Sequence, residues 1–511
     1  MHRAMAALAA LAAVTTVTAA HVLEEAKLYD DVHLNTVPRT EAERARIAAV
    51  LAPPTSFDAP QRFEHLSAGA ATVRVRPNAD AFSQPSGNIA FADELDFKVG
   101  NGLFKKLWVS SPSSTLASDG LGPLFNARSC QRCHIKDGRG HAPQGPDDNA
   151  VSMLLRISVP APSDTAVPDI EGYIASLPEP TYGTQLQDNG LPGLPAEAQL
   201  SVTYDEVEVA LSGGETATLR RPTYAVRNLG YGALHPEAML SPRVAPQMIG
   251  LGLLEAIRAE DILALADPDD LDGDGISGRP NIVWSREYDR PMLGRFGLKA
   301  GMPTLREQSA DAFSGDIGIS TSLIPAAWGH CTEAQAACRS APHGDGDVRE
   351  FEIDDDALAL VTYYSRNLAV PARRDVDHPE VLRGKQIFHQ TGCASCHVPA
   401  FVTHRLEGQP EQSFQLIWPY TDMLLHDMGP GLADHRPEAR ANGQEWRTPP
   451  LWGIGLTERV SGHTDFLHDG RARSLLEAIL WHGGEAEAQR NTVVDMPPED
   501  RAALIRFLES L

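Results

Sequence analysis

Two Cys-x-x-Cys-His pentapeptides constrain this chain more than any other feature. They occupy residues 130–134 and 393–397. Two cysteines at this spacing can form thioether bonds to one haem, and the histidine that follows can reach the iron. The sequence therefore predicts two covalently bound c-type haems, held by Cys130, Cys133, His134, Cys393, Cys396 and His397.

A Cys-x-x-Cys pair can also belong to a zinc site or to a thioredoxin-like redox site. A zinc site needs four ligands, so pairs from opposite halves of the chain would have to meet, and the adjacent histidines would have no role. A thioredoxin pair begins a helix in a βαβ unit, and neither motif lies in such a pattern. We therefore favour haem over both alternatives.

Residues 1–20 have the organisation of a secretory signal. A charged start, an alanine-rich apolar stretch and small terminal residues predict cleavage after Ala19 or Ala20. An uncleaved anchor is the alternative, although the stretch is short for a membrane span. We expect a periplasmic or secreted protein with no membrane span after signal removal, which agrees with haem attachment outside the cytoplasm.

Cys331 and Cys338 are the cysteines that remain. In an oxidising compartment they are expected to form a structural disulfide, with two free thiols as the alternative. Neither cysteine lies in a motif that lowers a thiol pKa, so thiol redox chemistry is disfavoured.

The formal net charge of -24 limits the possible partners. It argues against binding to nucleic acid or to anionic membrane surfaces, and it would steer in a small basic electron-donor protein. A surplus of acidic residues also keeps a protein soluble, so this second interpretation stays open.

The length of 511 residues allows about three domains. After the signal we expect an N-terminal extension over 21–110, a first cytochrome c-type domain over 111–370 and a second over 376–511. Helical patterns, as in 40–51 and 350–369, predict a mainly α fold.

The first domain is expected to contain a small β insertion at about 150–225. Residues Met153 to Val159, Gln199 to Ala210 and Thr216 to Leu219 are rich in strand-forming residues, and a Gly-Gly pair separates the last two segments.

A run of carboxylates over residues 267–281 predicts a calcium site. Asp270, Asp272 and Asp274 occupy the first, third and fifth positions of an EF-hand-type loop. The twelfth position is Asn281 instead of the bidentate glutamate, so the ligand shell is incomplete. A solvated acidic turn is the alternative.

Two segments of the chain recur. Residues 243–252 resemble 447–456, and residues 304–308 match 474–478 in the same order. Two related cytochrome units in tandem would produce these matches. Coincidence of proline and glycine turns is the alternative.

Longer stretches at 119–140, 420–434, 445–455 and 466–488 carry a family resemblance. They read DGLGPLFNARSCQRCHIKDGRG, YTDMLLHDMGPGLAD, EWRTPPLWGIG and FLHDGRARSLLEAILWHGGEAEA. In these stretches the chain resembles the bacterial dihaem oxidoreductases described as thiol oxidoreductases or peroxidases. The resemblance covers about 80–511 and extends distantly to the dihaem cytochrome c peroxidases and to the dihaem enzyme that matures methylamine dehydrogenase.

The resemblance implies an open, peroxide-binding haem in the N-terminal unit and a six-coordinate electron-transfer haem in the C-terminal unit. The family's sixth ligand of the second haem falls on His482, with Met423 and Met428 as competitors. Because imidazole stabilises ferric iron more than a thioether does, this haem should have a low potential. A helix-end histidine bonded to backbone or solvent is the other interpretation of His482.

Alignment of the two repeats places His482 opposite Ala312, which cannot bind iron. The first haem would then be open to peroxide on that face. The resemblance implies that Gln308 orients the bound oxygen and that Asp316 transfers the proton for O–O cleavage. Both residues could instead belong to a surface helix and its cap.

Two features depart from the peroxidases. The tryptophan between their haems falls here near Phe296 and Gly297, and Trp284 could substitute for it. His141 could also close the first haem from its other face.

We therefore expect an exported dihaem c-type oxidoreductase. Electrons would pass from a small soluble donor through the second haem to the first, where hydrogen peroxide or a similar oxidant is reduced. The alternatives are a pure electron carrier with two six-coordinate haems, and an enzyme that uses peroxide to oxidise side chains of a partner protein.

Overall fold

The computed structural model describes residues 29–115, 118–148, 152–344 and 350–511. The expected signal over 1–20 lies outside the described residues, so its export role stays a prediction. Among the described residues, no helix combines the length and apolarity that crossing a bilayer would need.

The helices are short, and five of the α-helices in the described residues begin with a side-chain N-cap. Thr40 Oγ1 accepts a hydrogen bond from the Glu43 amide at 3.2 Å, and the Glu43 carboxylate accepts one from the Thr40 amide at 2.8 Å. The α-helices of the described residues are α1 Glu41–Leu51, α2 Glu94–Lys105, α3 Leu251–Glu255, α4 Ala259–Leu263, α5 Leu305–Ala312, α6 Ala336–Arg339, α7 Asp355–Arg366, α8 Pro379–Gln390, α9 Thr457–Ser461, α10 Leu475–Leu480, α11 Glu487–Asp495 and α12 Pro498–Ser510.

The strands form many small sheets, most of them two-stranded. The strands of the described residues are β1 Thr36–Val37, β2 Val109–Ser110, β3 Asp119–Leu121, β4 Leu124–Phe125, β5 Met153–Pro160, β6 Ser176–Leu177, β7 Gln185–Leu186, β8 Asn189–Gly190, β9 Gln199–Leu211, β10 Glu215–Arg227, β11 Met239–Val244, β12 Ile282–Ser285, β13 Arg290–Leu293, β14 Phe401–Val402, β15 Arg405–Leu406, β16 Leu416–Ile417, β17 Leu425–Asp427 and β18 Glu445–Arg447.

The expectation of a mainly α fold is wrong, because the structure is only 28% helical and 19% strand. The chain contains 38 prolines and 42 glycines, which interrupt helices and favour turns. Between the short helices the backbone therefore pairs in brief strands. Strands of two or three residues show no periodicity, so the sequence patterns could not reveal them.

Strands β9 and β10 form a long antiparallel hairpin within the segment expected to be a β insertion. Leu211 pairs with Glu215 at its closed end. Gly213 and Gly214 make the turn with φ angles of 79° and 78°, in the left-handed region that favours glycine. Strand β5 pairs with β11, β6 and β7 in a separate sheet.

Two pairs of helices, one in each half of the chain, pack closely at a glycine. Helix α2 packs on α7, and a Cβ at Gly100 would overlap the Leu360 carbonyl. Helix α8 packs on α12, and a Cβ at Gly384 would overlap the Ala503 carbonyl. Each glycine thus permits a close approach of two helix backbones.

The repeated segments also adopt matching structures. A bridge joins Phe296 to Met302 before α5, and another joins Phe466 to Ala472 before α10. Thr304 and Ser474 then cap these helices, each accepting a hydrogen bond from the amide three residues later at 3.1 Å. These parallels support the tandem interpretation, while the domain boundaries stay predictions.

Candidate functional site

One cavity of about 1070 Å³ is lined by both Cys-x-x-Cys-His motifs. Pockets for a single small molecule usually hold about 300–1,000 Å³, so this cavity exceeds that range. Among the residues that line it are the site residues predicted from the sequence, Cys130, Cys133, His134, Gln308, Asp316, Cys393, Cys396, His397 and His482.

The first motif presents its histidine through a tight turn. The His134 amide donates to the Cys130 carbonyl at 3.0 Å. His134 Nδ1 lies 2.8 Å from the Pro246 carbonyl, which leaves Nε2 as the ring nitrogen for a metal. Burial lowers the pKa of His134 to about 4, so the imidazole is neutral at pH 7, as a metal ligand must be.

The second motif repeats this arrangement. The His397 amide donates to the Cys393 carbonyl at 3.0 Å, and His397 Nδ1 lies 3.0 Å from the Tyr420 carbonyl. Burial also lowers the pKa of His397 to about 4. Both motif histidines therefore present Nε2 to the same cavity.

His482 shares this geometry. Its Nδ1 lies 2.8 Å from the Ala478 carbonyl, and it lies close enough to His397 for its charge to lower the His397 pKa. Burial lowers the pKa of His482 itself. His397 and His482, the two expected ligands of the second haem, thus line the same cavity. Their ligation of iron stays a prediction.

The competing ligands are less well placed. Met428 lines the cavity, whereas Met423 is buried in the hydrophobic core with its sulfur 3.8 Å from Arg447 Nη1. His141 is not among the cavity-lining residues; its Nδ1 lies 3.1 Å from the Ala142 carbonyl and its ring packs on His463.

The cysteines of the motifs are poor thiolates. Burial raises the pKa of Cys130 and of Cys393 to about 12, so both thiols stay protonated at neutral pH. This argues against a thioredoxin-like site. Within the described ranges, only Asp267, Asp270 and Asp272 form a cluster of three or more potential metal ligands, so the two cysteine pairs do not meet in a zinc site.

The residues fit two c-type haems. Each motif offers two adjacent thiols and one neutral imidazole nitrogen, and both sets line one large cavity with an apolar majority of wall residues. Cys130, Cys133 and His134 would hold the first haem. The second would be held by Cys393, Cys396, His397 and His482.

Beside the first motif, the residue that the repeat alignment pairs with His482 is Ala312, which has no group that can bind iron. Ala312 ends α5 there and lines the cavity. Gln308 lies beside Gly297, and Asp316 lies on the π-helical turn that follows Ala312. The Asp316 carboxylate accepts a hydrogen bond from Gln185 Nε2 at 2.8 Å, and burial raises its pKa.

Three polar residues of this pocket were not found from the sequence. Arg156 of β5 donates to the Asp311 carboxylate at 2.8 Å, and both line the cavity together with His330. They are far apart in the chain and belong to no motif. An arginine among the apolar residues of a buried strand is the only signal that could have pointed to Arg156.

The residues that the resemblance places on the electron path lie at the cavity. Phe296 and Gly297 line the cavity, as does Trp284, which is 41% exposed. A further lining residue, Trp446, stacks on His468 with ring centroids 3.8 Å apart and an angle of 12° between the planes.

The acidic loop folds only partly as expected. Asp267, Asp270 and Asp272 bring their carboxylates within 4.8 Å of one another, but Asp274 is outside this cluster. Asn281 is buried, and its side-chain amide donates to the Lys299 carbonyl at 2.7 Å, so it stabilises the interior and is not a calcium ligand here. Calcium binding by this loop stays a prediction.

Cys331 and Cys338 are joined in the structure, with their Cα atoms 6.3 Å apart. This separation lies within the range of disulfides. The bond closes the short loop that begins just after His330.

Comparison with known proteins identifies the family. A family model described as "Di-haem oxidoreductase, putative peroxidase" matches residues 64–511, which confirms the resemblance seen in the motifs. A search of curated proteins gives no match. Because the family match covers most of the chain and includes both motifs, the chain belongs to the dihaem oxidoreductase family.

Proposed function

We propose that this protein is an exported dihaem c-type oxidoreductase that reduces hydrogen peroxide. His397 and His482 would hold the second haem, which would accept electrons one at a time from a small soluble donor protein. His134 would hold the first haem, which would supply the electrons that reduce peroxide.

The observation that carries this proposal is the asymmetry of the two repeats around one cavity. His482 faces the second motif, whereas the equivalent residue of the first repeat is Ala312. One haem is therefore closed and suited to electron transfer, and the other is open to a small oxidant. The family name supports redox chemistry with haem.

The chain's own residues supply the proton chemistry. Bound haem would provide the electrons for the cleavage of the O–O bond. Asp316, whose pKa is raised by burial, can hold a proton in the pocket at a pH where an exposed aspartate cannot. Gln308 offers an amide that can orient an oxygen atom.

The negative net charge of the chain supports the proposal of a basic electron-donor protein. At -24 the chain attracts a basic protein, and opposite charges accelerate association at low ionic strength. We further propose covalent attachment at both motifs, removal of residues 1–20 and a periplasmic or secreted location.

The test is peroxide-dependent oxidation of a reduced, small basic c-type cytochrome by the mature holoprotein. We expect steady turnover that falls as salt is added. A Cys393→Ala/Cys396→Ala variant should lose turnover with this donor, while His65→Ala, at an exposed histidine that does not line the cavity, should keep it. Reversible reduction of both haems without any peroxide turnover would instead identify an electron carrier.

A second candidate function is oxidation of a partner protein. Trp284 both lines the cavity and reaches the surface, so it could carry oxidising equivalents outwards. A tryptophan radical formed on peroxide addition, and absent from Trp284→Phe, would favour this function.

A further inference from the structure

His330 enters the open pocket beside the first motif, although no sequence pattern marks it. It lines the cavity, and its Nδ1 lies 3.0 Å from Thr184 Oγ1. The preceding Gly329 has a φ of 56° and packs against Gly318. The next residue, Cys331, belongs to the disulfide-closed loop, so the backbone holds the imidazole in a fixed position.

The other side of the imidazole packs closely on Gly315. A Cβ at Gly315 would lie 3.2 Å from His330 Cε1 and 3.7 Å from His330 Nε2. Gly315 belongs to the π-helical turn that follows Ala312 and carries Asp316. Because the Asp316 charge acts on Cys130 and Cys133, this turn and His330 lie at the part of the cavity beside the first motif.

Gln185 lies behind this part of the wall and does not line the cavity. Its side chain is fully buried, and its Nε2 donates to Asn126 Oδ1 at 2.7 Å and to Asp316 Oδ1 at 2.8 Å. It therefore supports the turn that carries Asp316.

The charges that face His330 come from Asp311, Arg156 and Arg286. Arg156 is held by Asp311, with its Nη2 2.8 Å from the carboxylate, and its charge also acts on Asp316. A fixed guanidinium can stabilise negative charge that develops on an oxygen during bond cleavage.

We propose that His330 is a second proton-transfer residue of the open haem pocket, in addition to Asp316, with Arg156 as the group that stabilises charge. This inference rests on the proposed function and adds an acid–base residue to it. His330 Nε2 takes the proton from the near oxygen of peroxide and returns it to the far oxygen. The O–O bond breaks, and the far oxygen leaves as water. Two electrons, which the two haems would supply, and two protons from solvent convert the near oxygen to the second water.

The test is cyanide binding to the ferric holoprotein, because hydrogen cyanide must lose a proton to bind iron. We compare the wild type with His330→Ala, and with His330→Gln, which keeps the polar contact to Thr184 but cannot act as a base. Both variants should associate with cyanide about 100-fold more slowly, at the low end of what acid–base groups contribute. His65→Ala, at an exposed histidine outside the cavity, should match the wild type.

Equal association rates in the wild type and in both His330 variants would overturn the inference and leave the proposed function intact. Conversion of a low-spin haem to high spin in His330→Ala would also overturn it, since His330 would then be an iron ligand. A wild type that binds no cyanide would overturn the open first haem, and with it both the proposed function and this inference.

Discussion

Gly250 lies directly against the indole ring of Trp452. The φ of Gly250 is 72°, and a Cβ there would overlap the ring. The reverse contact joins Gly453, with a φ of 75°, to Ile249, whose Cδ1 would lie 2.6 Å from an added Cβ. The two repeats thus contact each other through equivalent turns at Gly250 and Gly453. The first of these turns follows shortly after Pro246, whose carbonyl oxygen lies 2.8 Å from His134 Nδ1.

Gly384→Ala should destabilise the protein strongly. The new methyl group would overlap the Ala503 carbonyl where α8 crosses α12, and overpacking of this kind costs about 2–3 kcal/mol. The matched control is Gly102→Ala in α2, where no atom lies within 4 Å of an added Cβ. The control should gain about 0.5–1 kcal/mol. Urea unfolding of both variants measures the difference, and equal midpoints would show that the helices do not cross this closely.

Ala312→His should close the first haem. The substitution places an imidazole at the position that His482 occupies in the second repeat, so a second low-spin ferric signal should replace the high-spin one. Cyanide affinity should fall at least about tenfold, equal to about 1.4 kcal/mol. Ala312→Val fills the same space without a ligand atom and should keep the high-spin signal. If both variants stay high-spin, α5 does not face the first iron.

His482→Met should raise the reduction potential of the second haem. A thioether favours ferrous iron more than imidazole does, so we expect an increase on the order of 0.1 V, well within the roughly 0.8 V that axial ligands span. Spectroelectrochemical titration measures it. Met428→Leu, at the competing position, should leave this potential unchanged, and a large shift in that variant would identify the methionine as the ligand instead.

The pH dependence of cyanide association should follow His330. Burial lowers its pKa to about 4, so the base is neutral and active at any pH above that value. We expect the association rate to stay high from pH 7 to about 5 and to fall as the pH approaches 4. A midpoint near 6.5, the ordinary value for histidine, would contradict the buried position of the imidazole.

Cys331→Ser/Cys338→Ser should lower the free energy of unfolding by about 2 kcal/mol, as expected for a short closed loop. Because the loop begins next to His330, the variant should also slow cyanide association. Stability that does not change under reducing conditions would show that the cysteines are not bonded in the mature protein.

The sequence predicted the parts of the site that depend on local order. The Cys-x-x-Cys-His motifs, the match between residues 304–308 and 474–478 and the Gly-Gly pair of the hairpin each involve a few neighbouring residues, so their spacing is visible in the sequence. The family identity followed from the same stretches.

The rest depends on tertiary contacts. Arg156, Asp311 and His330 come from a strand, a helix and a loop that are far apart in the chain, and no sequence motif marks their role. The short strand pairs could not be predicted for a similar reason, since their stability comes from partners distant in the sequence. For the acidic loop the sequence motif predicted more than the structure contains. Of its three predicted ligands, only Asp270 and Asp272 lie in the carboxylate cluster, and Asp274 does not.

The most direct test of one closed and one open haem is the low-temperature EPR spectrum of the ferric holoprotein at rest. We predict two signals of equal intensity, one high-spin from the haem on His134 and one low-spin from the haem between His397 and His482. Two low-spin signals that cyanide leaves unchanged, or a protein that carries no haem, would contradict the account.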